Sequence, residues 1–266
     1  MRRGLSTLVP FGFRASDFEV LSERSRKNAQ GVLYGISGLR KWKYLALLAA
    51  LLVAAVLEPL VGDWGTRAQI LASVMVVGVN LGVFLVIFEQ RWERWLAFFL
   101  VAVVLASGIV HQTLSNFAQI AAIVYHCFAF VFLGFAVAVI LKRIFHQETV
   151  RTDAVIGALC GYLLAAAAWA NAYALIYLLR PGSFRIAGVI AAQLSDWNLH
   201  RFYFNYFSVT TLTSLGYGDI TPIGTLALSL SWLEVVFGQF YIAVVVAQLV
   251  GLRLAESIKR ERRDSN

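Results

Sequence analysis

Residues 201–222 read RFYFNYFSVTTLTSLGYGDITP, and the rest of the chain has to be understood around them. The first thirteen are aromatic-rich and lie between two long apolar blocks. As a helix they reach about 20 Å, roughly two-thirds of the ~30 Å hydrocarbon core of a bilayer. Two glycines separated by one residue follow at once, then Asp219 and Pro222. Such a segment dips into a membrane and comes back out. Non-helical backbone at that depth is tolerated only when buried in protein or lining a water-filled cavity. A re-entrant element of this kind implies a pore or a binding site.

The remainder of the sequence supplies the membrane. Apolar residues make up 59% of the chain and charged residues 14%, against about 45–50% and 25% in soluble domains. They come in long blocks rather than in the spaced stripes of amphipathic soluble helices. Six spans are expected at 44–62, 68–88, 95–110, 117–141, 155–179 and 223–252, the third of them short for the ~20 residues a crossing needs. An even number puts both termini on one face. All of the 23 Lys and Arg residues except Arg67, Arg180, Arg185 and Arg201 fall on that face, which makes it cytoplasmic by the positive-inside rule. Trp64, Trp92, Trp95 and Trp197 sit near span ends, where amphipathic rings favour the interface. The net charge of +8 therefore reports topology. Anionic lipid at the basic N-terminal arm is a further partner that it allows; nucleic acid is not expected.

Four regions follow: an N-terminal arm, 1–43; a four-helix peripheral bundle, 44–145; a module of outer helix, re-entrant helix, hairpin and last span, 153–252; and a short tail, 253–266. The arm opens on a capping box, Ser16 with Glu19, and reads as an amphipathic helix on the inner leaflet, with a disordered arm as the alternative. No cleavable signal peptide is visible, so the first span is expected to direct insertion. The prolines Pro10, Pro59, Pro181 and Pro222 all lie outside span interiors. Cys127 and Cys160 both lie within spans and form no CxxC pair.

The residues 213–219, Thr-Ser-Leu-Gly-Tyr-Gly-Asp, carry the chemistry. Selectivity for potassium needs carbonyl oxygens that replace the ion's water shell. Consecutive carbonyls face one way only if the backbone visits unusual dihedrals, and Gly216 and Gly218 permit that. Tyr217 is expected to turn away from the ion and pack on the dipping helix, whose C-terminal end carries partial negative charge favourable to a cation below it. Ser214 to Asp219 resembles the potassium-channel signature TVGYGD, with Thr213-Ser214 where that family usually has two threonines. In the family a hinge glycine follows the aspartate by nineteen residues, and here Gly238 does. The stretch 234–243, EVVFGQFYIA, is similar to the inner helix of small prokaryotic potassium channels. The close likeness covers about 205–252; the first four spans match only in number.

That resemblance implies K+ coordination by Ser214, Leu215, Gly216, Tyr217 and Gly218, filter support by Thr213, Asp219, Tyr206 and Glu234, and a gating hinge at Gly238. One signature per chain implies a homotetramer, since four copies must close the ring. Ser214 departs from the family's threonine and lacks the methyl that stiffens the rotamer. Thr210 stands where some relatives place a glutamate paired to the filter aspartate, which leaves Tyr206 as the partner for Asp219. Glu234 is too deep to snorkel. It reads as tucked behind the filter and bonded to the dipping helix, with a ring of acids lining the cavity as the alternative.

Lesser candidates have plainer readings. His126 beside Cys127 reads as a hydrogen-bonded span histidine rather than a metal ligand. His200 reads as solvated, with sensing of external protons as the alternative. Asn80 and Asn171 are expected to bond between helices. From Leu114 to Leu141 the fourth span holds no Lys or Arg, so steep voltage gating is not expected. The tail is too short for a nucleotide- or calcium-sensing domain. The expectation is an all-α plasma-membrane protein of six spans and a re-entrant pore helix. It passes K+ without cofactor or catalysis, and no acid–base pair, nucleophile or nucleotide loop suggests an enzyme. The alternatives are a weakly selective cation channel, favoured by Ser214, and a non-conducting modulatory subunit of the same fold.

Overall fold

The computed structural model describes residues 42–57, 66–147, 152–187 and 197–264. The chain divides into two units, Met1–Lys43 and Tyr44–Asn266, and the following concerns the second. The N-terminal arm with its Ser16–Glu19 box lies outside the described residues.

Seven helices are described: α1 (Trp42–Leu57), α2 (Thr66–Ile87), α3 (Arg91–Thr113), α4 (Ala118–Phe145), α5 (Thr152–Leu179), α6 (Trp197–Leu212) and α7 (Thr225–Asp264). Among the described residues, four stretches are long and apolar enough to cross a membrane: Arg91–Thr113, Ser115–Phe145, Asp153–Leu179 and Thr225–Ala255. The apolar parts of the first two helices, Trp42–Leu57 and Val74–Ile87, are shorter. Each apolar window in the sequence falls on helix, to within a residue or two, wherever it is described. The third is longer than its window. Arg91-Trp92-Glu93-Arg94 is polar but helical, and Glu93 is buried 3.6 Å from Arg143 at the end of α4.

The most extensive helix pairing joins α4 to α5. The cause is visible in α5, where Ala165, Ala166, Ala168, Ala170, Ala172 and Ala174 are all buried. Between helices in lipid there is no solvent-driven force, and small side chains let backbones approach closely enough for dispersion to act. Phe88, Phe132, Ile140 and Leu164 fill the larger gaps in one continuous apolar core. A second core of Tyr173, Phe184, Phe204, Phe207 and Ile220 sits where α5, α6 and the two strands meet.

Two features depart from the expected layout. The segment after α5 forms a strand, β1 (Phe184–Ile186), paired antiparallel with β2 (Ile220–Pro222) in the register Phe184↔Pro222, Arg185↔Thr221 and Ile186↔Ile220. Three-residue strands are too short to show a periodicity in sequence, so the all-α expectation holds apart from this ladder. The last span does not stop at 252 with a separate tail. The helix α7 continues unbroken through Asp264, because Leu, Ala, Glu, Lys and Arg beyond the span are all good helix formers.

Candidate functional site

The site grows from the C-terminal end of α6. Its last turn ends in Thr213, whose hydroxyl donates to the Val209 carbonyl at 2.7 Å. Beyond it the Thr210 carbonyl accepts two bonds from the turn, Leu215 N–H at 2.8 Å and Gly216 N–H at 3.2 Å. These two amides are thus directed back to the helix that precedes them.

The backbone here alternates. Ser214, Gly216 and Gly218 have φ of 60°, 56° and 80°, and Ser214 is the only non-glycine with positive φ among the described residues. In an extended strand successive carbonyls point to opposite sides. Reversing every second residue into the left-handed region turns them to a common side. A Cβ at Gly216 or Gly218 would meet nothing within 4 Å in one chain. The glycines are there for their dihedrals, not for space. Ser214 adopts the same region without being glycine, at a cost of roughly 1–2 kcal/mol.

Three supports hold this conformation. Tyr217 turns back, and its ring lies parallel to that of Tyr206 on α6, with centroids 6.4 Å apart and planes 4° from each other. The Asp219 carboxylate lies close to the Tyr206 hydroxyl. At the far end Asp219 leads into β2, and its carbonyl accepts the Ala187 N–H at 2.8 Å just past β1.

On the other side, α5 and α7 grip α6. Glu234 of α7 is fully buried. Its Oε2 accepts from the Tyr173 hydroxyl of α5, and its Oε1 from the Ser208 hydroxyl of α6. Ser208 also lies 2.7 Å from the Ala166 carbonyl. Glu234 therefore ties α7 to α5 and α6 and is closed off from solvent within one chain. Nearby, the Leu212 carbonyl accepts the Tyr162 hydroxyl of α5 at 3.0 Å. Gly238 of α7 presses on the same carbonyl, so that a Cβ there would collide with it. The helix shows no break at Gly238. The close approach gives one reason for the glycine at this position.

Other sequence candidates fall differently. His126 Nδ1 is 2.8 Å from Asn171 Oδ1, which joins α4 to α5. Asn80 instead donates to the Val76 carbonyl of its own helix. An isolated amide in an apolar span has an i−4 carbonyl always within reach, so the expected interhelical bond is not needed. His200 is buried rather than solvated, with its ring against Tyr177, Phe204 and His126. The aromatic cluster around β1 covers it, and that ladder had left no trace in the sequence. Sequence reading also passed over Tyr162, Tyr173, Ser208 and Gln239. A tyrosine or serine inside an apolar span is the signal that finds the first three, since a hydroxyl there must bond to something.

Residues 160–252 match the protein family described as Ion channel. The match supports an ion-channel subunit. It takes in α5 from Cys160, α6, the hairpin and nearly all of the apolar part of α7, and leaves α1 to α4 outside. Together with the apolar helices it supports a membrane-embedded channel domain and points away from an enzyme. No curated protein and no solved structure matches the chain.

Proposed function

We propose that the chain is one of four identical subunits of a potassium-selective channel of the plasma membrane, six-spanning with both termini cytoplasmic. It passes K+ down its gradient through the hairpin 213–219. The observation that carries this reading is the alternation of positive φ at Ser214, Gly216 and Gly218, with the amides of Leu215 and Gly216 tied back to Thr210. Carbonyls brought to one side by such an alternation form a ladder of the kind that replaces a cation's hydration shell. The carbonyls of Ser214, Leu215, Gly216, Tyr217 and Gly218 coordinate the ion, and the Ser214 hydroxyl adds a ligand at the inner end. Thr213, Tyr206, Asp219 and Glu234 hold the ladder, and Gly238 sets how α7 meets it.

A single ladder encloses nothing. Leu215 and Tyr217 are 54% and 67% exposed in one chain, which suits a hairpin that faces an axis shared with other copies. A closed four-fold ring meets that need. Only one filter sequence is present per chain, so the copies come from separate subunits.

The test is purified protein in liposomes under a K+ gradient, with barium as the blocker. A barium-sensitive K+ flux with a reversal potential near that of K+ in mixed K+ and Na+ is expected. A reversal potential that ignores the difference between the two ions would make the protein a weakly selective cation channel, the outcome that Ser214 favours. No flux would leave a modulatory subunit.

A further inference from the structure

Gln239 follows Gly238 on α7. Its side chain reaches from α7 to the inner end of the hairpin, where Nε2 donates to Ser214 Oγ at 2.8 Å. We propose that Gln239 is a positioning residue for the innermost cation site, one that fixes the Ser214 hydroxyl oxygen as a ligand in place of the methyl that a threonine would use. This rests on the potassium-channel reading above.

A serine hydroxyl has one hydrogen to give and two lone pairs. On a β-branched residue the second heavy atom at Cβ restricts the rotamer. Serine has only the hydroxyl, and here it sits on a backbone already in the left-handed region. Left alone, that hydroxyl would turn between rotamers and offer the ion either oxygen or hydrogen. An amide N–H donated from below occupies one lone pair and forces the hydroxyl's own hydrogen elsewhere. The second lone pair is then held for a cation. Nε2 is the only part of the glutamine that can do this, since Oε1 accepts and cannot donate.

Both residues are exposed in the single chain. Gln239 is also the first residue past the Gly238–Leu212 contact. The close approach of α7 to the end of α6 brings its side chain within reach of Ser214. A longer separation would leave the glutamine short.

The experiment is a double-mutant cycle in proteoliposomes or planar bilayers: the natural protein, Gln239→Leu, Ser214→Thr and the double variant. Each is read by barium block from the α7 side and by the reversal potential in mixed K+ and Na+. Loss of one hydrogen bond to the hydroxyl should weaken barium affinity about fivefold in the serine background and raise relative Na+ permeability. In the threonine background, where the methyl fixes the rotamer, the same substitution should change affinity less than about twofold. Gln239→Met keeps the length, removes the donor and must behave like the leucine variant, which covers the case in which Gln239→Leu fails to assemble. Equal factors in the two backgrounds, or no effect in the serine background, would overturn the proposal while leaving the channel reading intact. Absence of any barium-sensitive K+ current in the natural protein would overturn both.

Discussion

The two halves of the described chain are built on different terms. From α1 to α4 the helices meet mainly through apolar side chains, with a polar tie at Arg143 near one end: Phe88 stacks on Phe135 with centroids 5.1 Å apart, and Phe132, Val83, Val104 and Ile140 are buried. From α5 to α7 the helices are pinned to each other by named hydrogen bonds. Tyr162 reaches Leu212, Tyr173 and Ser208 reach Glu234, Tyr241 reaches the Ala158 carbonyl, and Gln239 reaches Ser214. Beside the close α4–α5 pairing that joins the halves lies a cavity of about 330 Å³ lined by Leu51, Val79, His126, Asn171 and Phe204 among others. Apolar packing in lipid tolerates small slips, because a shifted leucine finds another apolar neighbour. A hydrogen bond does not slip in that way. The half that must hold atoms to tenths of an ångström is the half that uses them.

The sharpest way to break the contrast is at the ladder itself. Gly216→Ala or Gly218→Ala should abolish K+ selectivity or conduction, since each forces a Cβ into positive φ at a cost of roughly 1–2 kcal/mol in every copy. Reversal potentials in mixed K+ and Na+, on protein shown to be assembled by size-exclusion chromatography, check this. Selective currents in either variant would remove the filter assignment.

Gly238→Ala comes next and separates two accounts of one residue. Alanine favours helix by about 1 kcal/mol over glycine, so an exposed position would gain stability. Here the added methyl meets the Leu212 carbonyl, and overpacking of this kind costs roughly 1–3 kcal/mol. The melting temperature should fall and conduction with it. A variant that melts higher than the natural protein and loses only its gating would restore the hinge as the reason for the glycine.

Glu234→Gln should have a milder effect. One of the two hydroxyl donors loses its acceptor, worth roughly 1–3 kcal/mol at a buried site. Because the side chain lies behind α6, open probability should change more than unitary conductance. A large fall in unitary current with unchanged gating would put the carboxylate in the ion's path.

These expectations draw unequally on sequence and structure. The apolar windows were legible as helices wherever they are described, because lipid demands long apolar runs, and the short helix α6 because 201–213 is too short for a crossing. The glycines were legible because positive φ has a residue signature. Ser214 was not, since the serine carries no mark of its left-handed backbone. Nor were Glu234's donors, because a lone carboxylate shows burial without showing its partners, and Tyr173 and Ser208 lie sixty-one and twenty-six residues away. Asn80 misled for the opposite reason: its own helix satisfied it.

The smallest expected effect belongs to the bundle. Basic residues in α4 come only in its last turn, Lys142 and Arg143, and Arg143 lies 3.5 Å from Glu89 and 3.6 Å from Glu93. A charge crossing the whole field changes energy by ~2.3 kcal/mol per 100 mV, and none here is placed to cross it. Open probability should vary shallowly with voltage in planar bilayers. A steady-state slope worth several charges per channel would show that the bundle senses voltage by another route.

The length of α7 has a mechanical consequence. Its forty residues extend about 60 Å, twice the ~30 Å thickness of the hydrocarbon. From Gly238 to the last described turn the rod is about 39 Å long, so a tilt of about 10° at that point carries its tip about 7 Å sideways. The helix is a lever with its fulcrum against the Leu212 carbonyl: a long arm whose last turns run past the apolar stretch that ends at Ala255, and a short one of about 20 Å. A modest push on the far end, by a bound molecule or a neighbouring chain, would reach the other end as a displacement about half as large and a force about twice as large.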